Sequence, residues 1–386
     1  MSATGSLFAL LVVGQVDAGP GQAAAMQSAL KAVLHLAPAL SSVSAFRVAA
    51  GTPALKADLE ALKQVEHGFR AGGSIDPGAQ SIAAVLSAEI ARASAALSNG
   101  EVDNARAQLQ GLTSLCFTCH TLSATTDLEQ PLKTPPIALT SFERANLLAA
   151  TRHFDDALDL WLISLRHVPK TFQEATDQMN ALRRAIAVAV SVKDDPAKTL
   201  ELLDAQAVGE MNAPYASLWT AAWREATKAW ALERFDVRVK TPQELFARAK
   251  ALVEQSHAAE HILSDETQTV GLLRATAYMT QALTREPHAR WRSEALLNLG
   301  VATATVREAM VWGLDGVYLE ACIRENPRTS MAQRCFSLLT ERTVFGFTGS
   351  SGTHLPPDVD ERLRALSILA GPVRLRPVRE GGASLR

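Results

Sequence analysis

Helical punctuation recurs along the whole chain, and strand signals are nearly absent. Thr52-Pro53 supplies a capping hydroxyl and then a proline at the first helical position, where its missing N–H costs nothing. Leu55, Leu59, Leu62, Val65 and Phe69 follow at steps of three and four, one apolar stripe, with Gly68 able to end it. Asp76-Pro77 opens the next stripe, Ile82, Val85, Leu86, Ile90 and Leu97. Asn99-Gly100 breaks that helix, and Val102, Ala105, Leu109, Leu112 and Leu115 line another. Met26, Leu30, Val33 and Leu34 mark an earlier one. Four amphipathic helices joined by short turns, between about Gln22 and Thr121, predict an antiparallel four-helix bundle within an all-α fold.

At 386 residues the chain is long enough for two or three domains, each with its own core. A formal net charge of −2 offers no global attraction to nucleic acid or an anionic membrane. Four cysteines are too few for a disulfide scaffold. Residues 1–18 carry an apolar run, Leu7 to Val13, and small residues at Val16 and Ala18, which fit a cleavable signal peptide and a periplasmic or secreted protein. No basic residue precedes the run, so an irregular terminus or a first helix is the alternative. No other stretch is read as a transmembrane segment.

Residues 121 to 140 contain five Thr and three Pro and no helical stripe, which places a linker at 122–140 between a first domain, 19–121, and a second, 141–386. All six Trp and all three Tyr lie beyond residue 150. The core of the first domain is therefore filled either by small aliphatics or by something that is not a side chain. Past the linker a degenerate repeat emerges. Phe154, Ala157, Trp161, Ser164, Leu165 and Pro169 form a helix ending in a small residue, Leu, three residues and Pro. Ala275, Met279, Ala282, Leu283 and Pro287 keep those offsets, and Leu319, Cys322, Ile323 and Pro327 keep most of them. This resembles the second helix of a tetratricopeptide repeat, and Asn298-Leu299-Gly300 is similar to part of the first. The resemblance implies an α-solenoid, a stacked array of helix pairs offering a surface to a peptide or protein ligand. An unspecific helical array is the alternative.

Cys116-Phe117-Thr118-Cys119-His120 carries the chemistry. On a helix, positions i, i+3 and i+4 share a face, so both thiols and the imidazole point the same way. Two thiols reach the vinyl groups along one porphyrin edge while the adjacent histidine reaches the iron, and C-x-x-C-H is the signature of covalent haem attachment. A thioredoxin-like pair would sit in a βαβ unit, a zinc site would need two more close ligands, and a disulfide between Cys116 and Cys119 would be strained within a helix.

A four-helix bundle whose last helix ends in this motif resembles the cytochrome c-prime family and its low-spin relatives. The resemblance implies one haem c between the helices, thioether bonds from Cys116 and Cys119, and an axial bond from His120. Low-spin relatives carry a first-helix methionine as sixth ligand; Met26 stands at the matching place, flanked by Gln22 and Gln27 where that pattern has Arg and Lys. A gap-filling core methionine is the alternative, and His35 and His67 are the other distal candidates. With no Tyr or Trp in the first domain, haem is expected to complete its core, so that the domain folds poorly without it.

Several weaker signals fall outside that site. His257-x-x-Glu260-His261 matches an inverted zinc-peptidase string, but in an all-helical run it reads as a solvated face. Gly346 to Gly352 lacks the lysine of a phosphate loop and reads as a connector, with His354 able to meet a ligand. Trp219, Trp223 and Trp230 share a face suited to core packing. Cys322 and Cys335, thirteen apart around Pro327, are a disulfide candidate in an oxidising compartment. The expected function is a monohaem c-type cytochrome that exchanges electrons with a redox partner protein, joined to a helical-repeat scaffold. A haem-based gas or redox sensor and a haem-free interaction protein are the alternatives, and no acid–base pair marks an enzyme.

Overall fold

The computed structural model describes residues 20–71, 76–122, 139–207, 214–257, 266–306, 313–350 and 352–372. The leader at 1–18 and nearly all of the linker lie outside the described residues. The described chain is overwhelmingly helical, as the punctuation predicts, with one two-residue antiparallel pairing, Thr348–Gly349 against Gly352–Thr353, in the glycine-rich connector.

The first part contains α1 (Pro20–Leu40), α2 (Val43–Ala49), α3 (Pro53–Ala71), α4 (Pro77–Ser98), α5 (Val102–Gln110) and α6 (Leu112–Leu122). Two features depart from the expected four helices. A short α2 begins at Ser42, whose hydroxyl accepts from the Ala45 N–H, and it inserts the fully buried Phe46. The last stripe divides at Gly111 into α5 and α6. The Thr52 and Asp76 starts stand as predicted: Thr52 Oγ1 accepts from Leu55 N at 3.3 Å and Asp76 Oδ1 from Gly78 N at 2.9 Å. Small aliphatics fill the space between α1, α3 and α4: Ala32, Leu36, Leu59, Leu62, Ala83, Ile82 and Ile90 are all buried.

The second part runs α7 (Ser141–Ala150), α8 (Phe154–Leu165), α9 (Phe172–Ser191), α10 (Pro196–Ala205), α11 (Pro214–Ala231), α12 (Pro242–Gln255), α13 (Thr269–Arg285), α14 (Arg292–Thr305), α15 (Leu314–Glu325), α16 (Ser330–Gly346) and α17 (Pro357–Ala370). The three repeat-like segments are α8, α13 and α15, each ending before its proline. Sequential helices pack on one another through most of this part. Gly300 lets α14 and α15 approach, since a Cβ there would meet Leu319 Cγ at 2.7 Å. Cys322 and Cys335 are joined as a disulfide that ties α15 to α16. Trp223 and Trp230 are buried, and Trp219 lies under the Arg183 guanidinium.

The two parts are not separate bodies. α15 packs on α4, while α9 and α13 pack on α6, so one hydrophobic core runs through both. The cause is visible in α6, where Leu112, Leu115, Phe117, Thr118, Cys119, Thr121 and Leu122 are buried around most of its circumference. A helix buried on nearly all sides needs partners on nearly all sides. By length and composition α4 is apolar enough to cross a membrane; it packs on α3, α5, α6 and α15, with 33% of that apolar window buried.

Candidate functional site

Cys116, Cys119 and His120 all lie in α6, at the seam between the two parts. Gly111 ends α5, and α6 begins at the next residue. The buried Thr121 hydroxyl donates back to the carbonyls of Phe117 and Thr118 at 3.0 and 3.1 Å, so it is satisfied within the helix. Phe117 points into the second part, edge-on to Trp161 with ring centroids 6.3 Å apart. The Arg184 guanidinium of α9 lies 5.5 Å from the centre of the same ring, and its Nη2 donates to Ser114 Oγ at 2.8 Å. These contacts fix the rotation of α6 and with it the direction of the motif face.

Cys119 is buried and Cys116 half-buried; both are free thiols. Burial pushes the Cys116 thiol up to about 11, so it is protonated at neutral pH. His120 is turned toward the backbone of Ala150 and the charge of Arg152, beyond the end of α7. Burial, reinforced by Arg152 and opposed by the Ala150 backbone bond, pushes the imidazole down to about 4, leaving it neutral. On the Cys119 side stands Tyr318 of α15, fully buried, whose hydroxyl donates to Asp76 Oδ1 at 3.3 Å. Burial raises the Asp76 carboxyl, against the bonds from Gly78, Ala79 and Tyr318 that favour its anion.

The donor chemistry fits haem better than a bare metal ion. Among the described residues no three or more His, Cys, Asp and Glu side chains are grouped to hold an ion, as a zinc site requires. Haem attachment makes no such demand: the sulfurs bond carbon atoms at the porphyrin edge, and only the imidazole takes the iron. Two free thiols and a neutral imidazole at i, i+3 and i+4 of one helix meet that need.

The distal candidates are not gathered there. Met26 is half-buried on α1, which packs on α3, α2 and α5, and His35 of α1 is exposed with Nδ1 3.4 Å from Asp58 Oδ1. His67 is exposed on α3. His257 follows α12, while Glu260 and His261 lie outside the described residues; His354 is exposed beside the short hairpin. Arg184 and Tyr318 carried no sequence signal, because each acts through a partner seventy or more positions away. Asp76 was visible only as a helix cap.

A cavity of about 250 Å³ lies between α12, α14 and α16, lined among others by Lys250, Val253, His257, Leu297, Asn298 and Arg334. Compared with known protein families, curated proteins and solved structures, the chain matches none of them.

Proposed function

We propose that the protein is an exported monohaem c-type cytochrome, with haem c bound through Cys116 and Cys119 and its iron held by His120. One observation carries this reading: the two free thiols and the imidazole occur in the order and spacing of the attachment motif within the single helix α6. When bound, the group supplies a one-electron iron couple. The chain's own part is to anchor one porphyrin edge through two sulfurs, to offer a neutral imidazole, and to hold α6 in place through Phe117, Trp161 and Arg184. Electron exchange with a redox partner protein follows. The helices from α7 onward act as a tetratricopeptide-like scaffold behind a bundle-like first part. The groove between α12, α14 and α16, with charged walls and Val253 and Leu297 in its lining, supports a peptide or protein ligand there.

A gas or redox sensor is the second reading, favoured by Met26 lying on α1, whose main packing partner is α3. The test is production of the full chain in a host exporting it to the haem c maturation machinery. One covalently held haem per chain in the alkaline pyridine haemochrome spectrum is expected, and none in Cys116→Ala/Cys119→Ala. We expect that variant to lose far-ultraviolet helicity, because haem completes the aromatic-poor core of the first part. An unmodified chain without haem overturns the proposal.

A further inference from the structure

Arg184 differs from its neighbour in sequence and from two other shielded arginines of the second part. Arg183 pairs with Glu266, Arg274 with Glu233 and Arg292 with Glu325. Arg184 has no carboxylate among the described residues. Among the described residues its guanidinium meets the Ser114 hydroxyl and the face of Phe117, both on α6. A desolvated cation is costly to leave without a counter-charge, and a neutral hydroxyl with a ring quadrupole compensates only part of that cost. The positive charge is thus spent on the one helix that bears Cys116, Cys119 and His120. A second positive charge, Arg152, acts on His120 from the turn after α7.

We propose that Arg184 is a positioning and potential-setting residue: its charge, held against α6 with no carboxylate partner among the described residues, favours the reduced state of the haem bound there. This role rests on the haem reading above. Reduction adds an electron to the iron site, so a fixed cation nearby stabilises the product over the oxidised form. At separations on the order of 10 Å and an effective dielectric near 20, one unit charge shifts such an equilibrium about tenfold.

The experiment is a spectroelectrochemical titration of the full haem-loaded chain. Arg184→Gln is expected to lower the ratio of reduced to oxidised protein about tenfold at the wild-type midpoint, a 59 mV drop for a one-electron couple. Arg184→Lys should keep most of the potential, since it keeps the charge. Ser114→Asp leaves the arginine in place and gives it a carboxylate, and it should lower the potential as well. Haem content and the visible spectrum of each variant should match wild type. An unmoved midpoint in Arg184→Gln and Ser114→Asp, or an equal drop in Arg184→Lys, overturns the charge-based role. Absence of covalent haem from the unmodified chain is a different result, which overturns the cytochrome reading and this role with it.

Discussion

Substitution of Gly78 by alanine tests the seam on which the site depends. In most helices this change stabilises by about 0.5–1 kcal/mol, since glycine loses more backbone freedom on folding. Gly78 stands in the first turn of α4, where a Cβ would lie 2.1 Å from Tyr318 Oη and 2.7 Å from Cζ. The phenol cannot swing away as a flexible chain would, because Tyr318 is fully buried between α15 and α4. Relief requires α15 to move outward, at an overpacking cost of about 1–3 kcal/mol. It also stretches the 3.3 Å bond from Tyr318 to the Asp76 carboxylate, a class of bond contributing about 1.5–3 kcal/mol. The helix gain offsets only part of this, leaving Gly78→Ala destabilising by about 2 kcal/mol. Urea unfolding followed by circular dichroism at pH 7 reads the change. In a Tyr318→Ala background the obstruction is gone, and Gly78→Ala should become neutral or mildly stabilising, a coupling energy of about 2 kcal/mol in the double-mutant cycle. If Gly78→Ala is as stable as wild type in the unaltered background, α15 does not pack on the start of α4, and the two parts are not joined as described.

Two further outcomes follow from buried charge in the second part. Glu233 accepts from both Arg248 and Arg274, the latter 3% exposed and stacked over Trp230, so Glu233→Gln leaves two guanidinium groups facing a neutral amide. A loss of about 3 kcal/mol is expected in urea unfolding; an unchanged midpoint would falsify the network's role. Asp194 is pushed up to about 6, first by burial, against the Tyr278 hydroxyl bond and the Arg274 charge. The folded state then holds a proton that the unfolded chain releases near pH 4, so this group's contribution to stability is present at pH 4 and lost as pH rises toward 6. Asp194→Asn, whose side chain tolerates the positive φ of 50°, should gain stability relative to wild type across that interval and hold a constant gain above it. An equal difference at pH 4 and pH 7 would contradict the assignment.

Local chemistry was legible in the sequence wherever the deciding contacts lie within one helical turn. Thr52 and Asp76 each cap the helix their spacing announces, because capping joins residues two or three apart. The same reach made the C-x-x-C-H face readable before any fold was known. The division of the last stripe at Gly111 was not readable, since the apolar residues on both sides keep one period.

The sequence by itself determined that the chain is helical, where several of its helices begin or end, and which three side chains share the motif face. These follow from backbone capping and a period of 3.6, which depend on neighbours alone. Only the tertiary structure decided that the motif helix lies between two packed parts, that Trp161 and Arg184 lock Phe117, and that Tyr318 meets Asp76 beside Cys119. Those pairs are separated by 44 to 242 positions, and nothing in a local pattern specifies which buried faces meet across such distances. Packing selects them by shape and by the cost of leaving charge and apolar surface without a partner.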